Sequence, residues 1–143
     1  MIKPYKQTLS HSCLTASLLM VANNEGQTVS PSLEQEISFS GSKRKFNFYV
    51  TGVVSEFCRA TNNPLNIIVD NKFFTNIVRK EFSTNKRISV EHRKIDIKLL
   101  RERALIAPIV CHIDDNYLGD YSHCSHFIVI ESFTKSQVTI IDP

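Results

Sequence analysis

No two cysteines of this 143-residue chain form a CxxC pair, and such short paired-ligand loops are the usual carriers of structural zinc. The four cysteines present, Cys13, Cys58, Cys111 and Cys124, are read as reduced thiols, because a chain of this length builds a core without disulfide staples. No run approaches the roughly 20 apolar residues needed to cross a bilayer. Lys3 and Lys6 followed by apolar residues 14–22 have the outline of a secretion signal. Thr15 and Ser17 interrupt that run, and a core helix is the better reading. A clustered stripe of cations is also missing. The short run Lys43-Arg44-Lys45 reads as a solvated loop, so no nucleic acid is expected as partner. Repeats and low-complexity segments are absent. These absences, with 42% hydrophobic and 22% charged residues, leave the expectation of one soluble, cytoplasmic domain over residues 1–143, with no membrane span and no cofactor or metal.

What is present is patterned. Residues 13–23 are apolar nearly all round, which describes a buried helix, with Ser10 or Ser12 as its cap and Asn23-Asn24-Glu25-Gly26 as its stop. Ser30-Pro31 with Glu34 following opens a second helix to about Phe39, and a polar loop runs to Lys45. Phe46, Tyr49, Val50, Val53, Val54, Phe57 and Cys58 recur at helical spacing, and Thr61-Asn62-Asn63-Pro64 ends that helix. Residues 65–69 and 88–92 read as short strands, 71–82 as a helix with Phe74, Ile77 and Val78 on its apolar face, and Asp96 as the cap of a further helix to Ala104. Residues 108–113, 126–133 and 137–141 are β-branched runs, the last two joined by a hairpin turn. The expectation is an α+β fold with N-terminal helices packed on a C-terminal antiparallel sheet.

Cys13 falls at the start of the first helix, where unpaired N–H groups and the helix dipole stabilise a thiolate. Taken alone it reads more readily as a buried core cysteine, and its partners change that balance. His126 opens an apolar strand beside the polar loop 117–125, a mixture of rigid support and access that suits a general base. If the last two strands pair, Asp142 returns to the His126 end and can fix the imidazole tautomer. An Asp-Pro pair is also a common strand terminator. Gln7, otherwise a surface glutamine, lies six residues before Cys13, where its amide could donate to an oxyanion together with the Cys13 N–H.

Gln7-Thr8-Leu9-Ser10-His11-Ser12-Cys13, His126-Phe127-Ile128-Val129-Ile130 and Ile140-Ile141-Asp142-Pro143, in this order, resemble the papain-like cysteine peptidases. The likeness is closest to the peptidase domains of bacteriocin exporters, which cut leader peptides after a double glycine. Ser12 and Leu14 depart from that family's usual neighbours of the cysteine. The resemblance implies a papain-like fold and a peptide or protein substrate. It also implies Cys13 as nucleophile, His126 as base, Asp142 as its orienter and Gln7 in the oxyanion hole. No exporter membrane segments follow, so a stand-alone relative is expected. Two alternatives stay open. One keeps the fold but makes the chain an acyltransferase or a non-catalytic peptide-binding module. The other is a zinc-binding structural domain using Cys111-His112 and His123-Cys124-Ser125-His126.

Overall fold

The computed structural model describes residues 1–45, 48–114 and 125–143. Helix α1 (Cys13–Asn24) buries eight residues around most of its circumference, as its apolar sequence requires. Helix α2 (Pro31–Ser42) starts from extended Ser30, whose hydroxyl accepts the Leu33 N–H at 3.2 Å, with proline in the first turn. It continues past the expected end at Phe39 and takes in part of the expected loop. Helix α3 (Tyr49–Thr61) ends at Asn62, which takes the left-handed conformation (φ 63°) and donates its N–H to Cys58 O at 3.0 Å. Phe46, where the helical pattern begins, lies outside the described residues.

The extension of α2 has a packing cause. A Cβ at Gly52 would stand 2.3 Å from the Gly41 carbonyl oxygen, and one at Gly41 would stand 2.7 Å from Val53 Cα. The two glycines let the α2 and α3 backbones touch. Both helices feed one core with α1, built on Leu14, Leu18, Leu19, Ile37, Val53 and Phe57.

Strand β1 (Leu65–Val69), helix α4 (Lys72–Glu81) and strand β2 (Ile88–His92) form a parallel crossover unit, paired from Leu65↔Ile88 to Val69↔His92. This two-stranded sheet is separate from the C-terminal one. Helix α5 (Ile97–Ala104) begins at Asp96, whose carboxylate accepts the Leu99 N–H at 2.9 Å. Strands β3 (Ile109–Asp114), β4 (Ser125–Phe133) and β5 (Val138–Ile141) make an antiparallel sheet in the order β3-β4-β5. The β4–β5 register shifts between Ile130 and Ser132. The chain is therefore α+β, with α1 and α5 against the C-terminal sheet and α4 against the parallel pair.

The close approach of α2 and α3 decides the sign of one substitution. Alanine in a helix interior is favoured over glycine by about 1 kcal/mol, but overpacking against backbone costs about 1–3 kcal/mol. Gly52→Ala should therefore lower the urea midpoint of unfolding. An unchanged or raised midpoint would show that the two helices separate freely.

Candidate active site

The site begins with how α1 lies on β4. Ser17 Oγ donates to the Phe127 carbonyl at 3.3 Å, and Met20 packs with Val129 in a small buried cluster. The helix and strand thus run in the same sense, and their N-terminal ends meet. Cys13 is one turn before Ser17 on the same side of α1, His126 is one residue before Phe127, and Cys13 is half-buried.

At the other side of this junction, His126 Nε2 and Asp142 Oδ1 are hydrogen-bonded at 2.7 Å. The hairpin register explains the meeting. Val129 pairs with Ile141, so Asp142 falls opposite residue 128, and the diagonal neighbour two residues away on the same face is within reach. With Nε2 engaged by the carboxylate, Nδ1 is the ring nitrogen left for another partner. The His126 side chain is 22% exposed and that of Asp142 55%, so the pair is open to solvent.

Strand alternation limits what is joined. Phe127 and Val129 pack in the clusters around α1, whereas His126 shares the opposite face with buried Ile128 and Ile130. No hydrogen bond links Cys13 to His126 among the described residues. The structure joins His126 to Asp142 and places Cys13 at the same end.

Gln7 is half-buried in the loop before α1, and its Nε2 donates to Leu9 O at 3.1 Å. That bond uses one of the two amide hydrogens; Oε1 is buried and has no partner among the described residues. Ser12 occupies the cap position of α1 but does not cap it. Its hydroxyl turns inward to Leu9 O at 2.9 Å and to the Glu34 carboxylate, so the expected Ser12 cap is absent. Ser10 supplies none either, so neither serine caps the N–H groups that open α1 among the described residues.

Two residues here escaped sequence reasoning. Glu34, read there only as part of an N-terminal helix signature, is fully buried and accepts hydrogen bonds from Tyr5 Oη at 2.8 Å, Thr8 Oγ1 at 2.7 Å and Thr8 N–H at 3.0 Å. Burial pushes its carboxyl up, but the donors Ser12, Thr8 and Tyr5 outweigh it and hold the group below the ordinary value of 4.5. Burial and the Glu34 carboxylate together raise the Tyr5 phenol. The available signal was spacing, since Glu34, Ile37, Ser38 and Gly41 share the buried face of α2. The second residue is Tyr49, which opens α3. Its phenol is raised by burial and then by the charge of a Cys13 thiolate.

The metal alternative fares differently. His112 bonds Ser125 Oγ and stacks on Phe127 with centroids 4.6 Å apart, on the sheet face opposite His126. Burial lowers the His112 pKa and raises the Cys111 thiol. His123 and Cys124 lie outside the described residues, as do residues 117–122 of the expected 117–125 loop, while Ser125 belongs to β4. Among the described residues no three metal-ligating groups converge. No family model, curated protein or solved structure matches this chain.

Two outcomes follow. Cys58 is 1% exposed and its thiol is pushed up to about 11 by burial, so a small alkylating reagent near neutral pH should label Cys13 and leave Cys58 unmodified in the native protein; peptide mapping reads this. Because the folded Glu34 pKa is depressed, its contribution to stability is complete above about pH 4.5 and is lost as pH falls through the folded value. Glu34→Gln should flatten the acid limb of a stability–pH curve. The residual slope comes from Glu56, held down despite burial by Arg59 and Arg44. An unaltered acid limb would remove Glu34 from that role.

Proposed function

We propose that the chain is a papain-like cysteine peptidase, with Cys13 as nucleophile, His126 as general base, Asp142 as orienter and Gln7 as an oxyanion donor. The observation that carries this reading is the His126–Asp142 hydrogen bond at 2.7 Å, on the strand against which the helix that begins with Cys13 is laid. A helix bearing the thiol at its N-terminus, laid against an antiparallel sheet bearing histidine and aspartate, supports a papain-like arrangement over an unrelated α+β fold.

In this mechanism Nδ1 of His126 takes the proton of Cys13 Sγ, leaving a thiolate beside an imidazolium. Asp142 holds the ring through Nε2 and stabilises its positive charge. The proton transfer requires the thiol and the ring to come within hydrogen-bond reach in the substrate complex. Thiolate attack on a peptide carbonyl places negative charge on its oxygen, which meets the Cys13 N–H and the second Gln7 amide hydrogen. Collapse breaks the C–N bond while His126 protonates the departing amine. Water, deprotonated by the same ring, then hydrolyses the thioester and returns Cys13. The sequence resemblance adds a substrate class, a leader peptide cut after small residues such as paired glycines.

The test begins without a substrate. Alkylation of Cys13 should be fast well below pH 8 and should lose that advantage in His126→Ala; labelling at the rate of an ordinary thiol in both proteins would end the reading. With a peptide substrate, Gln7→Ala should reduce turnover by about 10- to 1000-fold and Asp142→Asn should impair without abolishing it. Unchanged rates in both would remove those two roles.

A further inference from the structure

We infer that Glu34 is a positioning residue for Cys13, an assignment that rests on the reading of Cys13 as nucleophile. Its carboxylate is fully buried in the first turn of α2. Among the described residues its side-chain hydrogen bonds come from the segment leading into Cys13, from Tyr5, Thr8 and Ser12. A buried carboxylate is costly unless its lone pairs are filled, and these donors fill them. An apolar side chain would pack at this position of α2 without needing them. What the carboxylate adds is a fixed course for residues 5–12.

Ser12 shows what that course does. A serine at the cap position ordinarily turns its hydroxyl onto the first-turn N–H groups, where it would occupy the helix end that a Cys13 thiolate or an oxyanion needs. Glu34 and the Leu9 carbonyl instead draw that hydroxyl inward. The same Leu9 carbonyl receives the Gln7 amide at 3.1 Å, so the loop Glu34 holds also fixes the proposed oxyanion donor. Glu34 therefore keeps the α1 N-terminus open to charge developing at Cys13 and holds the loop that carries Gln7.

The experiment compares Glu34→Gln with the unaltered protein. It uses the pH profile of Cys13 alkylation by iodoacetamide, with His126→Ala in parallel and circular dichroism as a folding check. Positioning predicts labelling at pH 7 slowed by about 10- to 100-fold, the scale on which displacement of about 1 Å acts, with the profile moved to higher pH. Thr8→Val, which deletes one donor and keeps the volume, should move the rate in the same direction by less, and it serves if Glu34→Gln fails to fold. A purely through-space effect has the opposite sign, because removing an anion near the thiol favours the thiolate and speeds labelling. Equal or faster labelling in the folded variants overturns the assignment. If the unaltered protein labels as an ordinary thiol and His126→Ala changes nothing, the nucleophile reading itself falls; fast labelling that depends on His126 but not on Glu34 or Thr8 sinks only the positioning role.

Discussion

The rotation of α1 about its own axis is the constraint on which the site depends. A helix buried on most sides could turn within an apolar core at small cost, since leucine and alanine contacts are not directional. Two buried hydroxyls remove that freedom. Thr15 Oγ1 meets Ser38 Oγ of α2 at 2.9 Å, and Ser17 Oγ reaches the Phe127 carbonyl of β4. A turned α1 would leave a buried hydroxyl unsatisfied on one side or the other. The helix is thereby keyed to α2 and to the sheet at once, and the direction in which Cys13 projects follows from those two bonds.

The helical layer is organised around the same key. Glycine contact brings α2 and α3 within backbone distance, which narrows the slot that α1 fills with Leu14, Leu18 and Leu19. Glu34 stands at the open end of that slot and ties the incoming segment to α2. On the other side α5 covers the sheet face that α1 leaves free, so β4 is buried on both faces through Ile128, Val129 and Ile130. His126 and Ser125 are where that double burial gives out, which is why a titratable ring there reaches solvent while its backbone stays within the sheet.

Local chemistry was legible in the sequence and distant partnership was not. The apolar spacing from Val50 to Cys58 defined α3, Ser30-Pro31 and Asp96 opened α2 and α5, and the β-branched runs defined β3 to β5 with errors of a residue or two. Periodicity names an element but not its partner, so the parallel pairing of Leu65–Val69 with Ile88–His92 appeared only in three dimensions. The extension of α2 through Gly41 depended on a carbonyl contact with Gly52, eleven positions away. Ser12 carried a correct local signal for a cap and was overridden by Glu34, twenty-two residues later. The hairpin brought Asp142 to His126 because its register follows from turn length. The relation of Cys13 to that pair passes through packing rather than register, and no local rule expresses it.

Ser17 and the Phe127 carbonyl are separated by 110 positions in the chain, and that separation has a temporal meaning. Helix α1 is made before β4, so it must wait for that strand before its polar key can close. Contacts of such sequence separation form slowly, because the loop entropy is lost before the contact returns anything. Closure of the key thus follows the making of β4, a form of timing written into chain order rather than into any regulatory element.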